Sequence, residues 1–250
     1  MPSPLFVYAL RLGDDALILG QRLSEWCGHA PALEVDLSLA NVALDLVGQA
    51  THFLGLAGEL EGAGRDADAL AFRRDVLDFS NCILVEQPNG DFAQTIARQF
   101  LFSTHQELLL QQLASSADKR LAAIAAKAVK EVAYHRQLAS DWVVRLGDGT
   151  DDSKTRMTAG LDWMWRFTDE LFEMDEVEAG LARDGVGVDK AALRTEWDRR
   201  IDAVLAEATL ERPASRRPVV GGRIGHHSEH LGHLLSQMQF LQRAYPGAVW

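Results

Sequence analysis

Apolar residues return every three or four positions along almost the whole chain, and no stretch of useful length shows the period of two that a half-buried strand needs. The pattern predicts an all-α protein. Ser3 followed by Pro4 reads as a helix start, a hydroxyl cap and then a residue that needs no donor, and the first helix should run to about Trp26. Cys27-Gly28-His29-Ala30-Pro31 breaks the pattern, and Leu33 opens a second helix reaching about Leu60. This second stretch carries two apolar seams. Leu33, Leu37, Ala40, Leu44, Val47 and Leu54 form one, and Val35, Leu39, Val42, Leu46 and Phe53 form the other. Two seams predict neighbours on two sides, so the stretch reads as a central bundle helix. Between them runs a polar stripe of Ser38, Asn41, Asp45, Gly48 or Gln49, and His52, either a solvent-facing strip or a polar interior site.

Gly62-Ala63-Gly64 closes the second helix, and Asp66 or Asp68 can cap a third that carries Leu70, Phe72, Val76, Leu77, Phe79, Ile83 and Leu84. It should stop at the turn Glu86-Gln87-Pro88-Asn89-Gly90. Asp91 caps a fourth helix, and a fifth occupies about Lys119 to Leu146, ended by Gly147-Asp148-Gly149. The sixth, about Thr155 to Arg183, combines the aromatic block WMWRFTDELF with many acidic residues. Asp162 with Arg166, and Arg166 with Glu170, are i, i+4 pairs there, which suit a solvated or partner-facing side. Asp189 caps a seventh helix to about Thr209. The segment ERPASRRPVVGGR then interrupts helix with Pro213 and Pro218, before an eighth from about Gly225 to Arg243. In the interruption Arg212, Arg216 and Arg217 form a basic patch, suited to a phosphate-bearing ligand or an acidic partner, or else a solvated linker.

Composition narrows the picture. A chain of 250 residues, 47% hydrophobic, can bury a core without disulfides or structural metal. A formal charge of −11 argues against nucleic acid or an anionic membrane as the main partner. Only Cys27 and Cys82 are present, without a C-x-x-C spacing, and they read as small core residues in a reducing cytosol. The opening MPSPLFVYALRLGDD has no basic region followed by an apolar run, and no uncharged stretch reaches about 18 apolar residues. The expectation is a soluble, cytoplasmic protein.

One stretch invites chemistry: KAVKEVAYH, Lys127 to His135, places Glu131 and His135 on one helix face. A four-helix di-iron protein instead needs Glu three residues before His on two helices, with single Glu ligands on the other two. The residues three before the eight histidines are Trp26, Gln49, Phe102, Val132, Arg223, Ile224, His227 and His230, and none is glutamate. The remaining metal-ligand candidates, Asp45, Glu107, Glu131 with His135, and Glu170, are scattered and poor in histidine. Lys127 and Lys130 beside Glu131 suggest a degenerate site held by ion pairs. His226, His227, His230 and His233 form the densest histidine group. Steps of three from His227 fan over roughly 120° of helix surface, too wide for one ion to gather all three, so hydrogen bonding at a helix start is the plainer reading. No G-x-S-x-G, G-x-G-x-x-G or G-x-x-x-x-G-K-[ST] motif points to other chemistry.

Long blocks of the chain are more specific than any of these motifs. They are RLGDDALILGQRLSEWCGHAPALEVDLSLANVALDLVGQA, FSN with LVEQPNGDFAQTIARQF, KAVKEVAYH, DWMWRFTDELF, and GRIGHHSEHLGHLLSQMQFLQR with the terminal Trp250. They resemble the C-subunit family of the bacterial phenylacetyl-CoA 1,2-epoxidases, the ring-epoxidising multicomponent oxygenases of phenylacetate degradation, over nearly the whole length. The resemblance implies a single domain over 1–250, with a ferritin-like four-helix bundle core and flanking helices. It implies that this chain has no metal or cofactor of its own and a supporting, non-catalytic role. The implied partners are a homologous catalytic A subunit with a di-iron centre that binds the coenzyme A thioester, a small B subunit, and a reductase subunit using flavin, an iron–sulfur cluster and NADPH. It further implies substrate contact at Asp78, Phe79, Ser80 and Asn81, and at Ala179, Gly180 and Leu181, where the second trio offers mainly shape and backbone groups. Beside it stand two readings from the residues: a self-sufficient di-iron oxygenase with atypical ligands, and a helical metal-binding protein using the histidine cluster.

Overall fold

The computed structural model describes residues 2–214 and 217–248; Arg216 of the basic patch and Trp250 of the C-terminal block lie outside the described residues. Eleven α-helices and four short 3-10 turns make up the regular structure, with no strand among the described residues, so the protein is all-α. The long helices are α1 (Pro4–Ser24), α2 (Leu33–Glu61), α5 (Phe92–Leu113) and α6 (Lys119–Gly147), the number that a ferritin-like core uses. The others are α3 (Ala67–Phe72), α4 (Ile83–Glu86), α7 (Asp151–Trp165), α8 (Glu176–Arg183), α9 (Arg194–Glu207), α10 (Glu229–Met238) and α11 (Phe240–Ala244). The chain divides into two compact units, one built from Met1–Gln87 with Gly221–Trp250, the other from Pro88–Val220.

In the first unit α1 packs along α2. Ser3 Oγ accepts the Phe6 N–H at 3.2 Å and Pro4 sits in the first turn, as the sequence predicts. The two helices approach closely at Gly13, where an added Cβ would lie 2.7 Å from Leu54 Cδ2. Gly62, with φ +67°, ends α2 in the left-handed conformation. Of the two apolar seams on α2, Val35, Leu39, Val42, Leu46 and Phe53 are buried. The other seam is covered only in part: Leu54 is buried and Ala40 and Val47 are half-buried, but Leu33, Leu37 and Leu44 are 71%, 56% and 69% exposed. In the polar stripe Asn41 and His52 are exposed and Gln49 is buried, so it is mostly a solvent-facing strip.

The third predicted helix is in fact three pieces, α3, a 3-10 turn at Val76–Asp78, and α4. Between the last two the backbone N–H groups of Ser80 and Cys82 donate to the Asp14 and Asp15 carboxylates of α1, at 2.9 and 2.7 Å, in place of helix carbonyls. The eighth predicted helix also begins late and breaks. Gly225 has φ +80°, α10 starts at Glu229, and Gln239 Nε2 leaves the helix line to donate to the Ala71 and Arg74 carbonyls, both at 3.0 Å. Cys82 is buried as expected, whereas Cys27 is exposed in the loop after α1 and not in the core; the two are not joined.

In the second unit α5 packs on α6, α7 and α9. Asp91 and Asp118 cap α5 and α6, the former accepting the Gln94 N–H at 2.9 Å and the latter those of Arg120 and Leu121. The core centres on Trp197, fully buried beside Trp165 and Phe172, with ring centroids at 5.7 and 5.3 Å, and its Nε1 donates to the Leu101 carbonyl at 3.1 Å. The sixth predicted helix starts earlier, at a Thr150 cap, and stops at Trp165; a 3-10 turn and the Asp175-capped α8 follow. Arg166 and Glu170 therefore share no helix. The Arg166 guanidinium lies 4.6 Å over the Trp163 ring instead. Asp189 precedes the seventh helix as predicted, capping a 3-10 turn that leads into α9. The expected basic patch is reduced, because Arg212 is engaged by Asp198 and Asp202.

The Trp197 geometry gives a stability prediction. Trp197→Phe, which removes the indole donor while the Leu101 carbonyl keeps its bond within α5, should lower unfolding free energy by about 0.5 to 1.5 kcal/mol. Trp197→Ala should cost about 3 to 5 kcal/mol in the same urea titration.

Candidate functional site

In α1, Asp14 and Asp15 interrupt a helix whose neighbouring positions are almost all buried. Each carboxylate is matched by an arginine from a distant segment. Arg74 binds Asp14 through both terminal nitrogens, and Arg223 binds Asp15 at 2.7 and 3.1 Å. Ser80 completes the Asp14 site, its N–H and hydroxyl donating at 2.9 and 3.1 Å.

Glu86 is wholly buried at the end of α4. Its Oε2 accepts from Asn81 Nδ2 at 2.9 Å and from His227 Nδ1 at 2.8 Å, and its Oε1 accepts the Ser228 N–H at 2.6 Å. His227 Nε2 lies 2.8 Å from the Phe79 carbonyl. Both ring nitrogens thus face acceptors, an arrangement only the doubly protonated imidazolium satisfies. Burial, the largest influence, pulls the His227 pKa down. The Glu86 hydrogen bond, the Phe79 carbonyl and the charges of Glu86 and Asp14 together outweigh it and hold the value above 6.5. Arg22 adds donors to the Glu86 carbonyl and to that of His230, so the start of α10 is tied to α1 and α4.

The first segment of implied substrate contact lies inside this network. Phe79 is buried under the Arg74 guanidinium, Ser80 serves Asp14, and Asn81 serves Glu86. Asp78 is exposed and caps Asp75. A groove of about 450 Å³ opens in the same unit, with Val76, Leu235 and Phe240 in its lining and the Asp75–Arg243 ion pair on its wall. The second segment lies in α8. Ala179 and Gly180 are half-buried, Leu181 is buried, and the Leu181 carbonyl already accepts the N–H groups of Val186 and Gly187 at 2.9 Å. Next to it Glu178 and Lys190 form a buried ion pair at 2.7 Å.

The metal-ligand candidates fare differently. In the second unit Glu107 accepts from Arg136 at 2.5 Å and from Arg200 at 2.8 Å. His135 is fully buried, Glu170 is buried in a 3-10 turn, and Glu131 is half-buried on α6. Beside Glu170, burial first and then repulsion from Glu170 and Asp169 raise the Glu173 carboxyl. In the first unit Asp45 is half-buried on α2. Among the described residues no three or more His, Cys, Asp or Glu side chains gather as a metal would require. The donor set does not fit a di-iron centre, since the carboxylate of Glu107 is taken by two guanidinium groups that would repel a cation. Glu107 is thus ion-paired through Arg136 and Arg200, while Lys127 and Lys130 lie at exposed positions of the same helix as Glu131. In the histidine group His226 and His233 are exposed, and His227 serves as a hydrogen-bond donor at the helix start.

Sequence reasoning missed the Asp14, Asp15 and Glu86 pairings. The available signal was a pair of acids in the middle of an apolar helix and a glutamate closing the run ILVE.

Two outcomes follow. Below pH about 6.5 His227 is protonated whether the chain is folded or unfolded, and its stabilisation is complete; as pH rises through the higher folded value the proton leaves and the stabilisation is lost. Melting temperature should therefore fall between pH 6 and 9 in the wild type and fall less in His227→Gln. Glu107→Leu should destabilise by about 1 to 2 kcal/mol, below the roughly 3 to 5 typical of a fully buried pair, because Arg136 and Arg200 keep partial access to water. Chemical denaturation measures both variants.

Residues 2–250 match the family described as phenylacetic acid catabolic protein. The chain is also 51% identical over 248 residues to the C subunit of 1,2-phenylacetyl-CoA epoxidase from Escherichia coli (strain K12), covering 99% of this chain and 100% of that protein. With a family match over nearly its entire length, the chain belongs to the phenylacetic acid catabolic protein family.

Proposed function

We propose that this chain is the C subunit of a phenylacetyl-CoA 1,2-epoxidase, a non-catalytic helical chain that stabilises the A subunit in aerobic phenylacetate degradation. The observation that carries the reading is end-to-end identity of 51% with a protein bearing that name. The Glu107 site agrees with it: where a di-iron helix would present a carboxylate open to metal, this chain presents one neutralised by Arg136 and Arg200. The A subunit supplies the di-iron centre and holds the thioester. The reductase subunit delivers electrons from NADPH through flavin and an iron–sulfur cluster, and the small B subunit is the remaining member of the complex.

Two unjoined cysteines suit a cytoplasmic assembly. Substrate contact at the Asp78–Asn81 and Ala179–Leu181 segments would run through exposed Asp78 and through backbone and shape, since Phe79, Ser80 and Asn81 are committed inward. The two units act as one domain over 1–250, for which a single calorimetric transition is the check.

Size-exclusion chromatography of this chain with the A subunit tests the main reading. A stable hetero-oligomer should form and raise the melting temperature of A; separate elution would overturn the proposal. Metal analysis of the isolated chain supplies the contrast, because about two irons per chain after reconstitution would make it a self-sufficient oxygenase. Zinc or nickel lost on His230→Ala would make it a histidine-cluster metal protein.

A further inference from the structure

Leu33, Leu37 and Leu44 on α2 make a line of apolar side chains that the fold leaves exposed. At about 100° per residue, Leu33, Leu37 and Leu44 fall within roughly 40° of one another, and exposed Thr51 continues the same line. The Thr51 hydroxyl is satisfied by the Val47 carbonyl at 2.9 Å, so its methyl is the group left to make contacts. Beside the line, a Cβ built at Gly48 or Gly55 would meet nothing within 4 Å, which leaves shallow hollows next to the leucines. One border of this stripe is acidic. Glu34, Asp45 and Glu59 lie along it, and Glu34 and Glu59 are exposed.

We propose that this face of α2 seats a helix of the catalytic A subunit, one that presents an apolar stripe bordered by lysine or arginine; the proposal rests on the function inferred above. Exposed leucines set in register along a helix mark an interface more than scattered surface leucines do. The acidic border selects the charge of the partner's flank. A second copy of this chain fits poorly. Antiparallel pairing of α2 with itself about a twofold axis brings the two acidic borders together on one side, and each chain carries a formal −11.

The test titrates purified A subunit with three forms of this chain: wild type, Leu37→Asp/Leu44→Asp and Glu34→Lys/Glu59→Lys. All four positions are exposed, so circular dichroism and melting of the isolated variants should match the wild type. The leucine variant should bind at least about 100-fold more weakly. The charge-reversed variant should bind about 10-fold more weakly at low salt, with the difference shrinking as salt rises. Wild-type affinity in the leucine variant would overturn the proposal while leaving the function intact. A chain that dimerises alone and becomes monomeric on Leu37→Asp/Leu44→Asp would assign the face to a second copy and overturn it as well. No binding by the wild type would remove the function itself, and the docking face with it.

Discussion

A carboxylate shut away from water must be matched by a cation, and in this protein the matching cations are side chains. Asp14 meets Arg74, Asp15 meets Arg223, Glu86 meets His227, Glu178 meets Lys190, and Glu107 meets Arg136 and Arg200. At the singly paired sites, replacing one partner with an apolar group strands a charge in low dielectric. Each pair also acts as a tie, because the partners come from different elements and the pair closes only when both are in place. The two arginine pairs on α1 hold the extended 79–82 stretch and the C-terminal return to the same helix, and Glu86 with His227 fixes where α10 begins.

This form of neutralisation differs from the one a di-iron carboxylate protein uses. A di-iron helix leaves its carboxylates to be satisfied by metal, and their geometry is maintained for that purpose. Glu107 occupies a buried position on α5, and its Oε2 is held by two guanidinium groups.

The long helices and their caps were legible because their signals are local. Ser3 and Asp91 each cap within three residues, and apolar periodicity runs through α5 and α6. The third and eighth predicted helices were too long because the interactions that break them are distant in sequence: Ser80 and Cys82 are held by Asp14 and Asp15, and Gln239 by Ala71 and Arg74. Periodicity on α2 marked two apolar seams, but a hydrophobic pattern does not distinguish a face covered by its own chain from one left bare. At the site, the spacing of Glu107, Glu131 and His135 showed that the ligands were out of step. It could not show that Arg136 and Arg200 were the counterions, since those partners lie 29 and 93 positions away.

The first unit is assembled from two stretches far apart in the polypeptide, with the second unit lying between them in the chain. During synthesis from the amino terminus, α1 and α4 leave the ribosome long before Arg223 and His227 are translated. Asp15 and Glu86 must wait in hydrated surroundings while the whole intervening unit is made, so the amino-terminal helices cannot reach their final packing as they emerge. Completion of this half is timed by the arrival of one arginine and one histidine.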